Sequence, residues 1–162
     1  MHLRQYGGAD RGLTEALEMD GVVKRNLGGV LTRAEAVEVH RHRLAASARG
    51  DRFWTVIDDQ DEPVGVVGIW STVWAGGVID EVGWMLVPAA HGRGLGRRAA
   101  DLLVERARAD DRYTVIHAFP AVDNPASNAI CRFLRFSQIG DADLDYAGRP
   151  LRCAHWTLDV SG

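Results

Sequence analysis

Cysteine is scarce in this chain: Cys131 and Cys153 are the only two among 162 residues. Their wide spacing matches no zinc motif and suggests no disulfide framework. Proline is nearly as rare, with five residues, and no Pro-rich or low-complexity linker divides the chain. No apolar run approaches the length of a membrane span, since the longest, residues 64–70, is broken by Gly65 and Gly68. The first residues, Met1-His2-Leu3-Arg4-Gln5, have neither the apolar core nor the cleavage site of a signal peptide. Neither sign of charge dominates. Nineteen Lys and Arg against 22 Asp and Glu leave a net charge of −3, which argues against a dedicated nucleic-acid binder and against a disordered tail. With 46% hydrophobic residues the chain can bury its own core. The expectation is one reduced, cytoplasmic domain over residues 1–162, with no membrane or nucleic-acid partner and no metal. A homodimer is left open.

The pattern along the chain changes period. A weak helical signal covers residues 13–19. Thr32-Arg33-Ala34-Glu35 fits a capping box, in which hydroxyl and carboxylate satisfy opposite amides of a helix start. Val37, His40 and Leu44 continue that helix to about Gly50. Residues 53–57, 64–74 and 80–87 read as three strands rich in β-branched and aromatic side chains, the third stopped by Pro88. Leu95, Ala99, Leu102, Leu103 and Ala107 mark an amphipathic helix from about Arg93. A strand over residues 113–119 follows. Asn124 as N-cap and Pro125 at the first helical position then start another helix. Strands near residues 136–139 and 151–159 complete an α/β order.

The most informative segment is Val87-Pro88-Ala89-Ala90-His91-Gly92-Arg93-Gly94-Leu95-Gly96-Arg97-Arg98. Three alternating glycines stand between a strand and a helix start, where unpartnered amides and the positive end of the helix dipole suit a phosphate. Arg93, Arg97 and Arg98 add positive charge with no acid among them. The plain alternative is a flexible turn with a solvated basic face. A P-loop fails because Gly96 is followed by Arg97-Arg98 and not by Lys-Ser/Thr. A dinucleotide fingerprint fits Gly94-Leu95-Gly96-Arg97-Arg98-Ala99 locally. It lacks further β-α units, and His117-Ala118-Phe119-Pro120 stands where its acid is due.

His91-Gly92-Arg93-Gly94-Leu95-Gly96 resembles the Arg/Gln-x-x-Gly-x-Gly/Ala signature of the GNAT acetyltransferases. Asp123-Asn124-Pro125-Ala126-Ser127-Asn128 with Cys131 and Phe133-Leu134-Arg135-Phe136 resembles that superfamily's second motif. The departures are His91 for Arg or Gln, Arg135 for a glycine, and Cys131 for a tyrosine common in the family. The resemblance covers about residues 52–160. It implies a mixed, mainly antiparallel sheet of six to seven strands flanked by about four helices, with strands splayed at a coenzyme cleft. It also implies acetyl coenzyme A as co-substrate and a small-molecule or peptide amine as acceptor, attacked directly without an acyl-enzyme.

On that resemblance the coenzyme is held by His91, Gly92, Arg93, Gly94, Leu95, Gly96, Arg97 and Arg98. Its pantetheine arm pairs with the open edge at Met85, Leu86 and Val87, as in strand addition. Asn124 and Ser127 face it from the second-motif helix. A lysine-type amine costs about 4–5 kcal/mol to deprotonate at pH 7 and an α-amine about 1 kcal/mol. A base is therefore useful, and Glu81 is the candidate, with an ordinary strand-end acid as the alternative. Cys131 either protonates the leaving thiolate or is a buried structural thiol. His117 is a core or cleft-lining residue, or a second base. Trp74 or Trp84 could line the acceptor pocket, whose walls are expected from the first two helices and a loop over residues 140–150. Asp141, Asp143 and Asp145 in that loop are either a solvated turn or an attraction for a cationic amine. The rival reading of the whole chain is an inactive coenzyme A-binding module, and a further one is transfer of another acyl group or to an alcohol.

Overall fold

The computed structural model describes residues 1–146 and 149–161. Seven strands form one sheet: β1 (His2–Gln5), β2 (Arg52–Ile57), β3 (Pro63–Trp74), β4 (Gly77–Leu86), β5 (Val115–Ala118), β6 (Ser137–Tyr146) and β7 (Arg149–Asp159). Four helices flank it: α1 (Arg11–Glu18), α2 (Arg33–Arg49), α3 (Leu95–Arg108) and α4 (Pro125–Phe133). The spatial order is β1-β2-β3-β4-β5-β7-β6, and only β4–β5 is parallel. This is the mixed, mainly antiparallel sheet that the resemblance implied. No helix among the described residues is long and apolar enough to cross a membrane.

Local chemistry accounts for most boundaries. Thr32 Oγ1 accepts the Glu35 amide while Glu35 accepts the Thr32 amide, so the expected capping box starts α2. Gly50 ends that helix at φ +116°, a left-handed conformation that a side chain resists. Asn124 accepts the Ser127 amide and caps α4, with Pro125 behind it.

Each face of the sheet carries its own core. Val67, Ile69, Val82, Leu86, Ile116 and Trp156 pack with Leu95, Ala99 and Leu103 of α3. On the opposite face Phe53, Val66, Trp70 and Met85 pack with Leu17 of α1 and Ala46 of α2. Residues alternate along each strand, so these two lists also say which side of the sheet every neighbour faces.

Three expectations change. β1 adds an edge strand, pairing Leu3 with Val56, where no strand was expected. β4 begins at Gly77, three residues earlier than Asp80, because the β3–β4 ladder runs to Trp74–Gly77. The supposed acidic loop is a hairpin of β6 and β7. Asp141 pairs with Ala154 and Asp143 with Arg152 in its ladder, while residues 147 and 148 lie outside the described residues.

Candidate active site

β4 and β5 hold the cleft open. They pair only at Asp80–Ile116 and Glu81–His117, and beyond Glu81 no ladder joins them. A cavity of about 620 Å³ runs through this gap, from the glycine-rich turn on the α3 side to α2 and the α1–α2 connection on the other.

The open edge of β4 differs by one residue from the expected one. The Val87 amide donates to the Val64 carbonyl at 2.9 Å, and the Val87 carbonyl accepts from Ala90 at 2.9 Å. Hydrogen-bonded pairs alternate along an antiparallel ladder, so Met85 also turns its backbone groups to β3, opposite Val66. Trp84 and Leu86 turn theirs into the gap. Of the expected trio, Leu86 turns its amide and carbonyl to the gap, with the carbonyl held by His91; Met85 and Val87 are engaged with their own sheet or turn, and Trp84 joins.

The turn is built as a cradle. Gly92 and Gly94 lie at φ +71° and +72°, with nothing within 4 Å of an added Cβ, so both strain and ligand access favour glycine. The Arg98 amide, bonded to the Gly94 carbonyl at 3.2 Å, makes the first helical bond of α3. The amides of Leu95, Gly96 and Arg97 therefore precede it without helical partners. Arg97 lines the cleft, its guanidinium 4.1 Å from the Phe133 ring centroid. Arg93 and Arg98 contribute no side chain to the lining, and Arg98 is drawn to Asp59 at 3.1 Å. His91 lines it and donates from Nε2 to the Leu86 carbonyl at 2.8 Å, tying the turn to the strand edge.

The second-motif residues on and after α4 divide. Asn124 and Ser127 line the cleft, and the Trp84 indole donates to Ser127 Oγ at 3.3 Å across the gap. Cys131 does not join them. It is fully buried in the core beneath α4 and does not line the cavity, and burial pushes its thiol up to about 12. The acid role expected of Cys131 therefore gives way to the structural one. Arg135 lies beyond the helix, exposed.

Glu81 lines the cleft, half-buried, and faces the α1/α2 side with Trp70, its partner on β3. Burial raises its carboxyl to about 7, against a smaller pull from the Trp70 indole as hydrogen-bond donor. It is the only carboxylate among the described lining residues. On its other side stands His117, whose Nδ1 meets His155 Nε2 at 2.9 Å. Burial lowers both imidazoles, so the pair shares one proton bond as neutral rings. Trp74 packs against Phe119 and His155 and leaves the cleft lining to Trp70, Trp84 and Phe119.

The aspartates of β6 do not serve this pocket. Asp141 and Asp143 pair with Arg152 at 3.0 and 3.6 Å, whereas Leu144, Leu151 and Cys153, with the opposite parity, line the cavity.

The Acetyltransferase (GNAT) domain family model matches residues 1–137. The architecture is likewise that of GNAT acetyltransferase structures. A ribosomal-protein-alanine N-acetyltransferase from Brucella melitensis superposes with TM-score 0.80 at 21% identity, over 98% of this chain and 99% of that one. A phosphinothricin acetyltransferase from Sinorhizobium meliloti, in complex with AcCoA, gives 0.80 at 20% over 98% and 88%. A spermidine N-acetyltransferase from Vibrio cholerae, in complex with CoA and spermine, gives 0.79 at 16% over 97% and 94%. No curated protein sequence matches significantly. The chain belongs to the GNAT acetyltransferase family and is an acyltransferase.

Proposed function

We propose that this protein moves an acetyl group from acetyl coenzyme A to a primary amine by direct attack, with Glu81 as the base. The observation that carries this reading is one continuous cleft with an amide cradle at one end and a single carboxylate of raised pKa at the other. The amides of residues 92–97 suit the pyrophosphate, with Arg97 beside them. The Trp84 backbone and the Leu86 amide suit the pantetheine amides, and Asn124 and Ser127 border the same arm. Acetyl coenzyme A supplies the activated thioester. Glu81, ionised near neutrality, takes a proton from the acceptor's ammonium. The freed nitrogen then attacks the thioester carbonyl, and the C–S bond breaks as the C–N bond forms. Coenzyme A leaves as a thiolate, and the proton surrendered by the product nitrogen balances it. Related structures of similar TM-score are named for ribosomal-protein alanine, phosphinothricin and spermidine, so the fold alone does not select among acceptors.

Thiol release from acetyl coenzyme A over a panel of amines tests the reading. Turnover supports it. Thermal stabilisation by the coenzyme, about 2.7 kcal/mol at a hundredfold its Kd, without turnover would instead favour a binding module. Neither response would reject both.

A further inference from the structure

We propose that the acceptor is an amine that also carries a carboxylate, an amino acid with an apolar side chain, and not a polycation. This rests on the acetyltransferase reading above and names the substrate class of the same cleft.

The acceptor end lies on the α1/α2 side, where Glu81, Trp70 and Met85 face. Leu27, Trp70, Met85, Phe119, Leu144 and Leu151 make its walls apolar. Its described charged lining is Glu81 against Arg25 and Arg43. Arg43 is bound to Glu18 at 2.8 Å, and Glu18 also holds Lys24 at 2.7 Å, so one carboxylate is shared between two cations and Glu18 does not belong to Arg43 alone. Arg149 of the β6–β7 hairpin lies against Gly29 in the same α1–α2 connection as Arg25. Several acids on neighbouring elements have partners of their own. Asp20 accepts the Val22 and Val23 amides, Glu15 pairs with Arg11 and Arg33, and Asp141 and Asp143 pair with Arg152.

A polyamine would bring several charges into a pocket with one carboxylate and a cationic wall. Moreover, that carboxylate must accept a proton from the reacting nitrogen, leaving nothing to hold the other ammonium groups. An α-amino acid reverses the match. Its amine meets Glu81, its carboxylate meets an arginine suited to two-point recognition, and its side chain meets the apolar walls.

The experiment compares kcat/KM by thiol release for leucine, phenylalanine and methionine, for their C-terminal amides, and for spermidine. The acids should exceed their amides at least tenfold, and spermidine should be the poorest. Arg25→Glu alters an exposed side chain, so it should leave the Tm unchanged while reducing the acid-to-amide ratio about fivefold. Amides equal to acids, spermidine preferred, or a ratio unmoved by Arg25→Glu would overturn the proposal while turnover itself upheld the acetyltransferase reading. No turnover with any amine would overturn both.

Discussion

Glu81 is placed by its surroundings in a state that neither a surface glutamate nor a core residue occupies. An unperturbed glutamate titrates near 4.5, and in the folded protein this one titrates near 7 because the cleft walls withdraw solvent from its charged form. The consequence for stability has a definite sign. Between pH 4.5 and 7 the folded chain keeps a proton that the unfolded chain has lost, so stability falls as pH rises through that window. Below 4.5 the penalty is absent, and above 7 it is complete. Glu81→Gln should therefore match the parent in stability near pH 4.5 and exceed it by about 1–3 kcal/mol at pH 8, measured by urea denaturation at both values. Catalysis should move the other way. The ratio of parent to variant kcat/KM should climb with pH through 7 and level at about 100-fold or more. A flat ratio would remove Glu81 from the role of base.

At the scale of elements, α4 shows what motif spacing can and cannot specify. Its start was legible, since Asn124 and Pro125 are a cap and a first-turn residue by chemistry alone. Its faces were not. Asn124, Ser127 and Cys131 follow at helical spacing, yet the helix meets the sheet so that Cys131 points into the core. Asn128, passed over in the sequence, is buried and joins three partners: the Ala121 and Asn124 carbonyls and the Trp156 indole. The end of α4 explains one departure from the family motif. Phe136 donates to the Cys131 carbonyl and Arg135 to that of Arg132, at 3.0 and 3.1 Å, the paired bonds of a Schellman ending. Arg135 sits at φ +63°, the conformation for which a glycine is ordinarily required. Arg135→Gly should therefore stabilise the fold by about 0.5–1 kcal/mol, the relieved left-handed strain outweighing the added chain entropy. The shift should appear in the denaturation midpoint with an unchanged slope; a loss of stability would mean that Arg135 makes compensating contacts in solution.

Across the whole molecule, the succession of most strands and helices was legible because glycines, caps and β-branched runs mark them locally, whereas the gap between β4 and β5 followed only from the family resemblance. The acceptor side was not legible, because it depends on residues far apart in sequence whose burial no local pattern states. Little in the local sequence sets Glu18, Lys24 and Arg43 apart from the chain's other charges. The folded chain leaves them only 4%, 2% and 11% exposed, with one carboxylate between two cations. A partial signal existed, since Glu18 follows Thr14 by four residues and Leu17 by one on the inner face of α1. This group joins α1 to α2 and to the connection between them, and thereby holds the cationic wall of the cleft. Desolvated charges of this kind add little net stability as a complete set, but removing the anion that two buried cations share costs far more than the pair contributes. Glu18→Gln keeps the shape and removes the anion. It should cost about 3–5 kcal/mol in chemical denaturation, far beyond the 0–1 kcal/mol typical of an exposed pair. A loss below 1 kcal/mol would mean that water reaches the group and that another contact secures the acceptor wall.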